Sequence, residues 1–536
     1  MNLYERFEQN AQSHPKKSAF IYFDGINWKT LTYRDILDKT QRFLCGLEAG
    51  RYTPGMSAAV MAPPSADFFP FALALLKFGI IPILLEPAIG IKKIGEILQE
   101  SEPDIFIGNT LTHTLRIMFG WGSNSVKHNL TIKRVERQKS KVTQLPITNY
   151  QSPIPPISPA AIIYTSGSTG LPKGAVYTQE NLAAQLELLR NTFSITPNEI
   201  DLPAFPLYAL IDLLLGVTSI IPDITFPVPG KTDPAKVINA IQKFNVTNMF
   251  ASPVVLDILS SFAENNNSSS RPNVLSSLKR IITAGAPATI DLQRRFRHLF
   301  ADHTSLYGIY GATETLPIAK VESREVFALQ EKTQNGSGIC LGKPIEGVSV
   351  RIIPIPDEPI AEWQDSLIVK PNIVGEITVQ SAATTRSYIH REDANRISKI
   401  EYRGDIIHRM GDVGYFDEEG RLWYCGRKSH RVMTKDDVMF TEQIENIFNA
   451  HPQVFRTALV GVDGEPALWV ELQKGVTTHK EKIIAELKAL AIAHPQASRI
   501  RTFLFLKKFP TDVRHNSKII REKLTELANR KSITNH

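Results

Sequence analysis

In "TQENLAAQLELLRNTF" (178–193), Leu182, Leu186, Leu189 and Phe193 recur at the spacing of one helix face, which predicts an amphipathic helix. Upstream, the apolar run "AAII" (160–163) has the length of a buried strand, and "YTSGSTGLPKGA" (164–175) lies between the two. The pattern predicts strand, flexible loop, helix. A similar alternation follows, with "AKVINAIQKF" (235–244) at helical spacing and then "VTNMFASP" (246–253), so crossover units and a mostly parallel sheet are expected. The fold class is α/β. The most apolar stretches, "FFPFALALLKFGIIPILL" (68–85) and "LYALIDLLLGVTSIIP" (207–222), are broken by Lys77, Asp212 and prolines. They predict buried strands and helices, because a membrane span needs roughly 20 unbroken apolar residues.

Near residue 426 the texture changes. "EEGRLWYCGRKSHRV" (418–432) predicts a hairpin with Gly420 at its turn, followed by basic residues. Beyond it, "EQIENIFNAHP", "FRTALVGV", "ALWVELQ", "KEKIIAELKALAIA" and "RTFLFLKKF" predict a helix-strand-strand-helix-strand series. The chain of 536 residues is too long for one core. It is divided here into residues 1–425 and a small C-terminal domain, 426–536.

Composition narrows the function. Sixty-one basic residues against 54 acidic ones leave +7, which favours anionic ligands, but no basic block marks a nucleic-acid arm. No nucleic-acid partner is expected. Cys45, Cys340 and Cys425 are odd in number and far apart, so neither a disulfide framework nor a CxxC site is expected. Charges in "MNLYERFEQNAQSHP" stand where a signal peptide needs an apolar core, and a cytoplasmic location is expected. The 13 histidines are scattered and HExxH is absent, which gives zinc chemistry no support.

The 164–175 loop carries the first candidate chemistry. Gly167 and Gly170 let backbone N–H groups approach a ligand closely, Thr165, Ser166, Ser168 and Thr169 add hydroxyls, and Lys173 adds a cation. Such a loop suits a polyphosphate. It is not a Walker A loop, since Leu171 and Pro172 separate Gly170 from Lys173. "SGSTG" alone reads better as a surface loop; the full twelve residues, with Lys173 in its place, favour phosphate.

Those twelve residues resemble the phosphate-loop signature of the adenylate-forming superfamily of acyl-CoA synthetases, peptide-synthetase adenylation domains and luciferases. "AGAP" (284–287), "YGATE" (310–314), "GEI" (375–377), "GDVGYFDEEGRLWYCGR" (411–427) and "NSKIIREKL" (516–524) follow in the family's order. The resemblance implies a large N-terminal domain of layered sheets and helices with a small mobile α+β C-terminal domain. It implies ATP and Mg²⁺ as cofactors and a carboxylic acid joined to the α-phosphate as acyl-AMP. Lys518 is then the lysine bridging carboxylate and α-phosphate, Glu314 the Mg²⁺ ligand and Thr313 an α-phosphate contact. Tyr310 stacks on adenine beside Ala284, Gly285 and Ala286, with Gly311 and Ala312 in the same motif. Asp412 accepts both ribose hydroxyls, its "GDVGYFD" context selecting it over Asp405, and Arg427 contacts ribose or phosphate.

Two departures bear on the acceptor. "GRKSHRVMTKDDVMFTEQIE" (426–445) has no glycine between Arg427 and Glu445, no proline, and Ser429 at the usual hinge position, while "PLYAL" (206–210) places Ala209 where the thioester-forming enzymes carry histidine. Here the chain resembles one subgroup, the β-lactone synthetases of head-to-head olefin biosynthesis. That implies adenylation of a β-hydroxy fatty acid followed by attack of its own hydroxyl. Segments 207–222 and 246–256 are expected either to line a long-chain pocket or to pack the core. A long-chain acyl-CoA ligase, with CoA as a further substrate, and a non-catalytic nucleotide-binding homologue stay open. So does association with a membrane surface or with pathway enzymes.

Overall fold

The computed structural model describes residues 2–85, 89–138, 155–165, 172–222, 229–265, 275–511 and 519–534. Among these, the largest sheet has a parallel centre formed by Ile200–Pro203, Asn248–Ala251, Arg280–Thr283 and Ser305–Ala312. From Thr315–Glu322 onward the pairing is antiparallel, running through Ile339–Pro344, Leu422–Arg427, Asp405–Phe416 and Gly375–Gln380. The parallel expectation therefore holds for the helix-linked strands; in the antiparallel part, short turns join Ser305–Ala312 to Thr315–Glu322 and Asp405–Phe416 to Leu422–Arg427, and longer connections bring in the other strands. A second sheet orders Ser387–Tyr388, Gly174–Thr178, Pro159–Tyr164, Ile81–Leu84, Ser57–Met61, Ile105–Gly108 and His128–Leu130. Ile105, Phe106 and Ile107 are fully buried there, as a parallel strand covered on both faces requires.

The helix Gln179–Phe193 forms where expected. Thr178 and Asn181 cap it reciprocally, each side chain accepting from the other's backbone N–H at 3.1 Å. The strand-loop-helix reading needs correction, however. Gly174–Thr178 is a strand, antiparallel to Pro159–Tyr164, so the glycine-rich loop joins two strands of a hairpin and does not open a helix. Val176 and Tyr177 favour the pleated, half-buried position, and the long helix that follows masks this short strand in the sequence pattern.

Both apolar stretches are helix-strand units, Phe68–Phe78 with Ile81–Leu84 and Tyr208–Leu215 with Thr218–Ile221. Their helices share one core with Leu3–Ser13 and Tyr33–Ala49 through Phe7, Phe43, Phe71 and Leu213. Among the described residues, no helix is long and apolar enough to cross a membrane.

Gly420 sits at the predicted hairpin with φ +73°, a conformation in which a side chain is strained. After it come the expected helix Thr441–Asn449, strands Val454–Val462 and Glu465–Leu472, helix Lys480–Ala493 and strand Thr502–Phe505. These strands form their own three-stranded sheet. One face packs on Ile444, Phe448 and Leu487, the other on Phe509 and Leu524.

Candidate active site

The strand Ser305–Ala312 turns directly into Thr315–Glu322, with Ala312 opposite Thr315, so Thr313 and Glu314 form the two-residue connection. A Cβ on Gly311 would lie 2.4 Å from Leu316 Cδ1 and 3.1 Å from Thr315 O, so a larger residue would require Leu316 to move at that tight return. Tyr310 donates its phenolic proton to Asp412 Oδ2 at 2.7 Å. Asp412 lies opposite Arg427 in the paired strands, and Arg427 Nη1 stands 3.0 Å from Asp412 Oδ1. The Asp412 carboxylate raises the Arg427 pKa, while burial and then Asp412 push the Tyr310 phenol well up. The trio is thus a neutral phenol, a carboxylate and a cation. Asp405 instead pairs with Arg386 at 3.6 Å and does not line the cavity that holds the trio.

Glu314 is held through both its side chain and its backbone. Tyr388 donates its hydroxyl to Glu314 Oε1, while Thr385 N donates to Glu314 O at 2.8 Å. Tyr388 reaches this place because it pairs with Ala175, at the far end of the phosphate-type loop, and Ile389 N donates to Gly174 O at 2.9 Å. Lys173 Nζ and Lys399 Nζ each stand 5.2 Å from the Tyr388 ring centroid. Lys399 is buried and donates to Thr385 O at 2.6 Å; burial lowers its pKa to about 7, against the opposing pull of Glu314. Tyr177 donates to Thr313 O. Tyr177, Tyr388 and Lys399 had no motif to mark them.

Thr165 and Lys173 close the loop's base, Thr165 N donating to Lys173 O at 2.9 Å and Lys173 N to Thr165 Oγ1 at 3.1 Å. Ser166, Gly167, Ser168, Thr169 and Gly170 lie outside the described residues, as does Lys518. Ile520 N donates to Pro510 O at 2.9 Å, and Arg521 Nη2 to the buried Glu445 Oε2 at 2.9 Å.

One cavity of about 2600 Å³ brings the described candidates together. Its polar end includes Thr165, Lys173, Thr313, Glu314, Asp412 and Arg427; Tyr310, Gly311 and Ala312 stand beside Ala284, Gly285 and Ala286. Gly285 takes φ +91° at the bend after Arg280–Thr283. An apolar limb follows, lined by Phe71, Ala72, Leu76, Leu84, Leu210 and Ile211. Of the two segments expected to line a long-chain pocket or to pack the core, Leu207, Tyr208, Leu210, Ile211 and Leu214 from one and Phe250 from the other line this cavity, while Ala209, Leu213, Met249 and Ala251 are buried in the core. Ser429, Ile519 and Arg521 also line the cavity, bringing the C-terminal segment to its polar end.

Tyr208 stacks on Phe250 with centroids 3.7 Å apart and planes 13° apart. Behind it Asp201 and Asp212 share a buried hydrogen bond, and Ser219 donates to Asp212 Oδ2. Burial raises both carboxyl pKa values, that of Asp201 to about 7.

Among the described residues, no group of three or more His, Cys, Asp or Glu side chains gathers to hold a metal. Glu314 is a single oriented carboxylate beside the loop's lysine. That donor set fits Mg²⁺, which is commonly held by one or two carboxylates plus substrate phosphates.

Residues 7–389 match the AMP-binding enzyme family model. The chain is 40% identical over 516 residues to the olefin beta-lactone synthetase of Xanthomonas campestris pv. campestris, covering 92% of this chain and 90% of that enzyme. It is 38% identical over 515 residues to that of Stenotrophomonas maltophilia, with the same coverage. The O-succinylbenzoate coenzyme A synthetase of Bacillus subtilis, solved with ATP and magnesium ion, superposes with a TM-score of 0.76 at 21% identity, covering 97% of this chain and 98% of that one. That likeness shows the fold of adenylate-forming enzymes. With the family model spanning most of its length and two such relatives, the chain belongs to the AMP-binding enzyme family.

Proposed function

We propose that the protein activates a β-hydroxy fatty acid with ATP and closes it to a β-lactone. The substrate carboxylate oxygen attacks the α-phosphorus, the bond to the β-phosphate oxygen breaks, and acyl-AMP and pyrophosphate result. The substrate's own hydroxyl oxygen then bonds to the acyl carbon, the bond from that carbon to the AMP oxygen breaks, and the hydroxyl proton leaves to solvent. Tethering both reactants in one molecule supplies effective concentration and orientation, which offset part of the strain of a four-membered ring.

The observation that carries this reading is the continuity of the polar trio with the apolar limb. In it, Tyr310 and the 284–286 bend flank the adenine and Asp412 holds the ribose. Arg427 and Thr313 meet the α-phosphate, while Lys173 and the 165–170 loop hold the outgoing phosphates. Glu314 would hold Mg²⁺ together with phosphate oxygens, and the ion would supply charge neutralisation at the phosphates. Lys518 approaches from a C-terminal domain, residues 426–536, that moves about Ser429. The lactone outcome draws its support from the two olefin beta-lactone synthetases and from the segment after Arg427, which lacks the glycine and proline of thioester-forming enzymes. We place the protein in the cytoplasm.

ATP–pyrophosphate exchange dependent on a β-hydroxy fatty acid tests the first step. A wild-type protein that binds ATP without exchange would be the non-catalytic homologue.

A further inference from the structure

The helix Thr110–Met118 is built unlike its neighbours. Of its nine residues only Thr112 is buried. Leu111 is 65% exposed, Ile117 75% and Met118 64%, and Phe119, just beyond, is 43% exposed. This is no frayed end, because Phe119 stacks on the buried Trp121 at 5.6 Å and Trp121 packs with Ile94, Ile97 and Leu115. The neighbouring helix Ile91–Ser101 opens with Ile91, itself exposed, followed by Lys92 and Lys93.

Two further observations say what this face meets. The same helix forms part of the wall of the large cavity through Leu111, Thr112 and Leu115, so solvent-facing apolar side chains adjoin the apolar limb. The charge around it leans positive: residues 89–138 contain seven Lys and Arg, among them Lys92, Lys93, Arg116 and Lys127, against five Asp and Glu, and the stretch 105–135 between Asp104 and Glu136 has no acidic residue. Lys127 pairs with Asp104 at 3.1 Å yet stays largely exposed. An apolar surface rimmed by cations suits the boundary of an anionic bilayer, where apolar side chains enter the acyl edge and Lys or Arg meets lipid phosphates. A second copy fits poorly, since a symmetric contact would set the two basic stretches against each other.

We infer that the Thr110–Phe119 face docks on an anionic lipid surface and delivers the acyl chain to the cavity. The inference rests on the proposed long-chain substrate. Each methylene costs about 0.8 kcal/mol in water, so such an acid resides in the bilayer.

The test is cosedimentation of the full chain with phosphatidylcholine vesicles, with and without about 30 mol% phosphatidylglycerol. The expected result is binding to the anionic vesicles that weakens with salt and falls about tenfold in Ile117→Glu/Met118→Glu. That variant should melt like wild type and retain exchange with a short, water-soluble acid. Absence of wild-type binding to anionic vesicles, or undiminished binding by the variant, would overturn the inference. So would a concentration-dependent dimer that the double substitution dissolves while vesicles stay unbound. Loss of wild-type exchange with every acid, with vesicle binding intact, would strike the proposed activity instead.

Discussion

Tyr310 donates to Asp412 at 2.7 Å, and Asp412 faces Arg427 at 3.0 Å across two paired strands. The ring proposed to cover the base and the carboxylate proposed to hold the sugar are therefore one hydrogen-bonded unit. Tyr310→Phe keeps the ring and removes the donor. A hydrogen bond to a charged group contributes about 1.5–3 kcal/mol, so we expect the ATP KM to rise about tenfold with kcat little changed. Steady-state exchange kinetics at varied ATP will check it; an unchanged KM would separate the two residues functionally.

Glu314 is oriented by Tyr388, which also links it to the phosphate-type loop. Glu314→Gln keeps the shape and removes the charge, and the Mg²⁺ concentration for half-maximal exchange should rise by about tenfold or more. Tyr388→Phe should raise it by about threefold. Metal titrations on the two variants give the comparison, and a flat response in Glu314→Gln would remove it as the ligand.

Asp201 and Asp212 have folded-state pKa values raised by burial, that of Asp201 to about 7. For a raised carboxyl, the stabilising contribution is complete below its ordinary pKa and is lost as pH climbs through the folded value. Stability should therefore decline from about pH 4, the ordinary carboxyl value, to about pH 7, where Asp201 titrates in the folded chain, with Asp212 extending the decline upward, and Asp212→Asn, which retains an acceptor for Ser219, should flatten the decline. Thermal melts across that range decide the matter; parallel curves for both proteins would contradict it.

Ala72 lines the apolar limb from the helix Phe68–Phe78 and is only partly buried. Ala72→Phe adds volume where an acyl chain would run. We expect the preferred acid to shorten, with the ATP KM unchanged. Exchange rates over a ladder of chain lengths provide the measurement, and an unaltered preference would move the acyl chain elsewhere.

The sequence made legible what is local. The 182–193 apolar stripe and the Gly420 turn each depend on neighbours within a few residues, and each forms where expected. Asp412 and Arg427 were singled out by the family resemblance of 411–427, and the hairpin around Gly420 sets them opposite each other, a pairing the motif alone did not state. Tyr388 and Lys399 were not. They join the site only when Ser387–Tyr388 adds to the edge of Gly174–Thr178, a pairing across more than 200 positions that periodicity does not record. Asp212 read as an interruption of an apolar run; its meaning needs Asp201, brought close by the packing of Tyr208–Leu215 on the sheet. The strand at 174–178 escaped notice because five residues ahead of a strong helix carry little pattern of their own.

The central claim is intramolecular closure after adenylation. Mass spectrometry of the products formed from a long-chain β-hydroxy acid, ATP and Mg²⁺, with and without CoA, tests it most directly. β-Lactone and AMP in equal amounts in both reactions is the predicted result. Acyl-CoA formed only when CoA is present, with no lactone in either reaction, would contradict it.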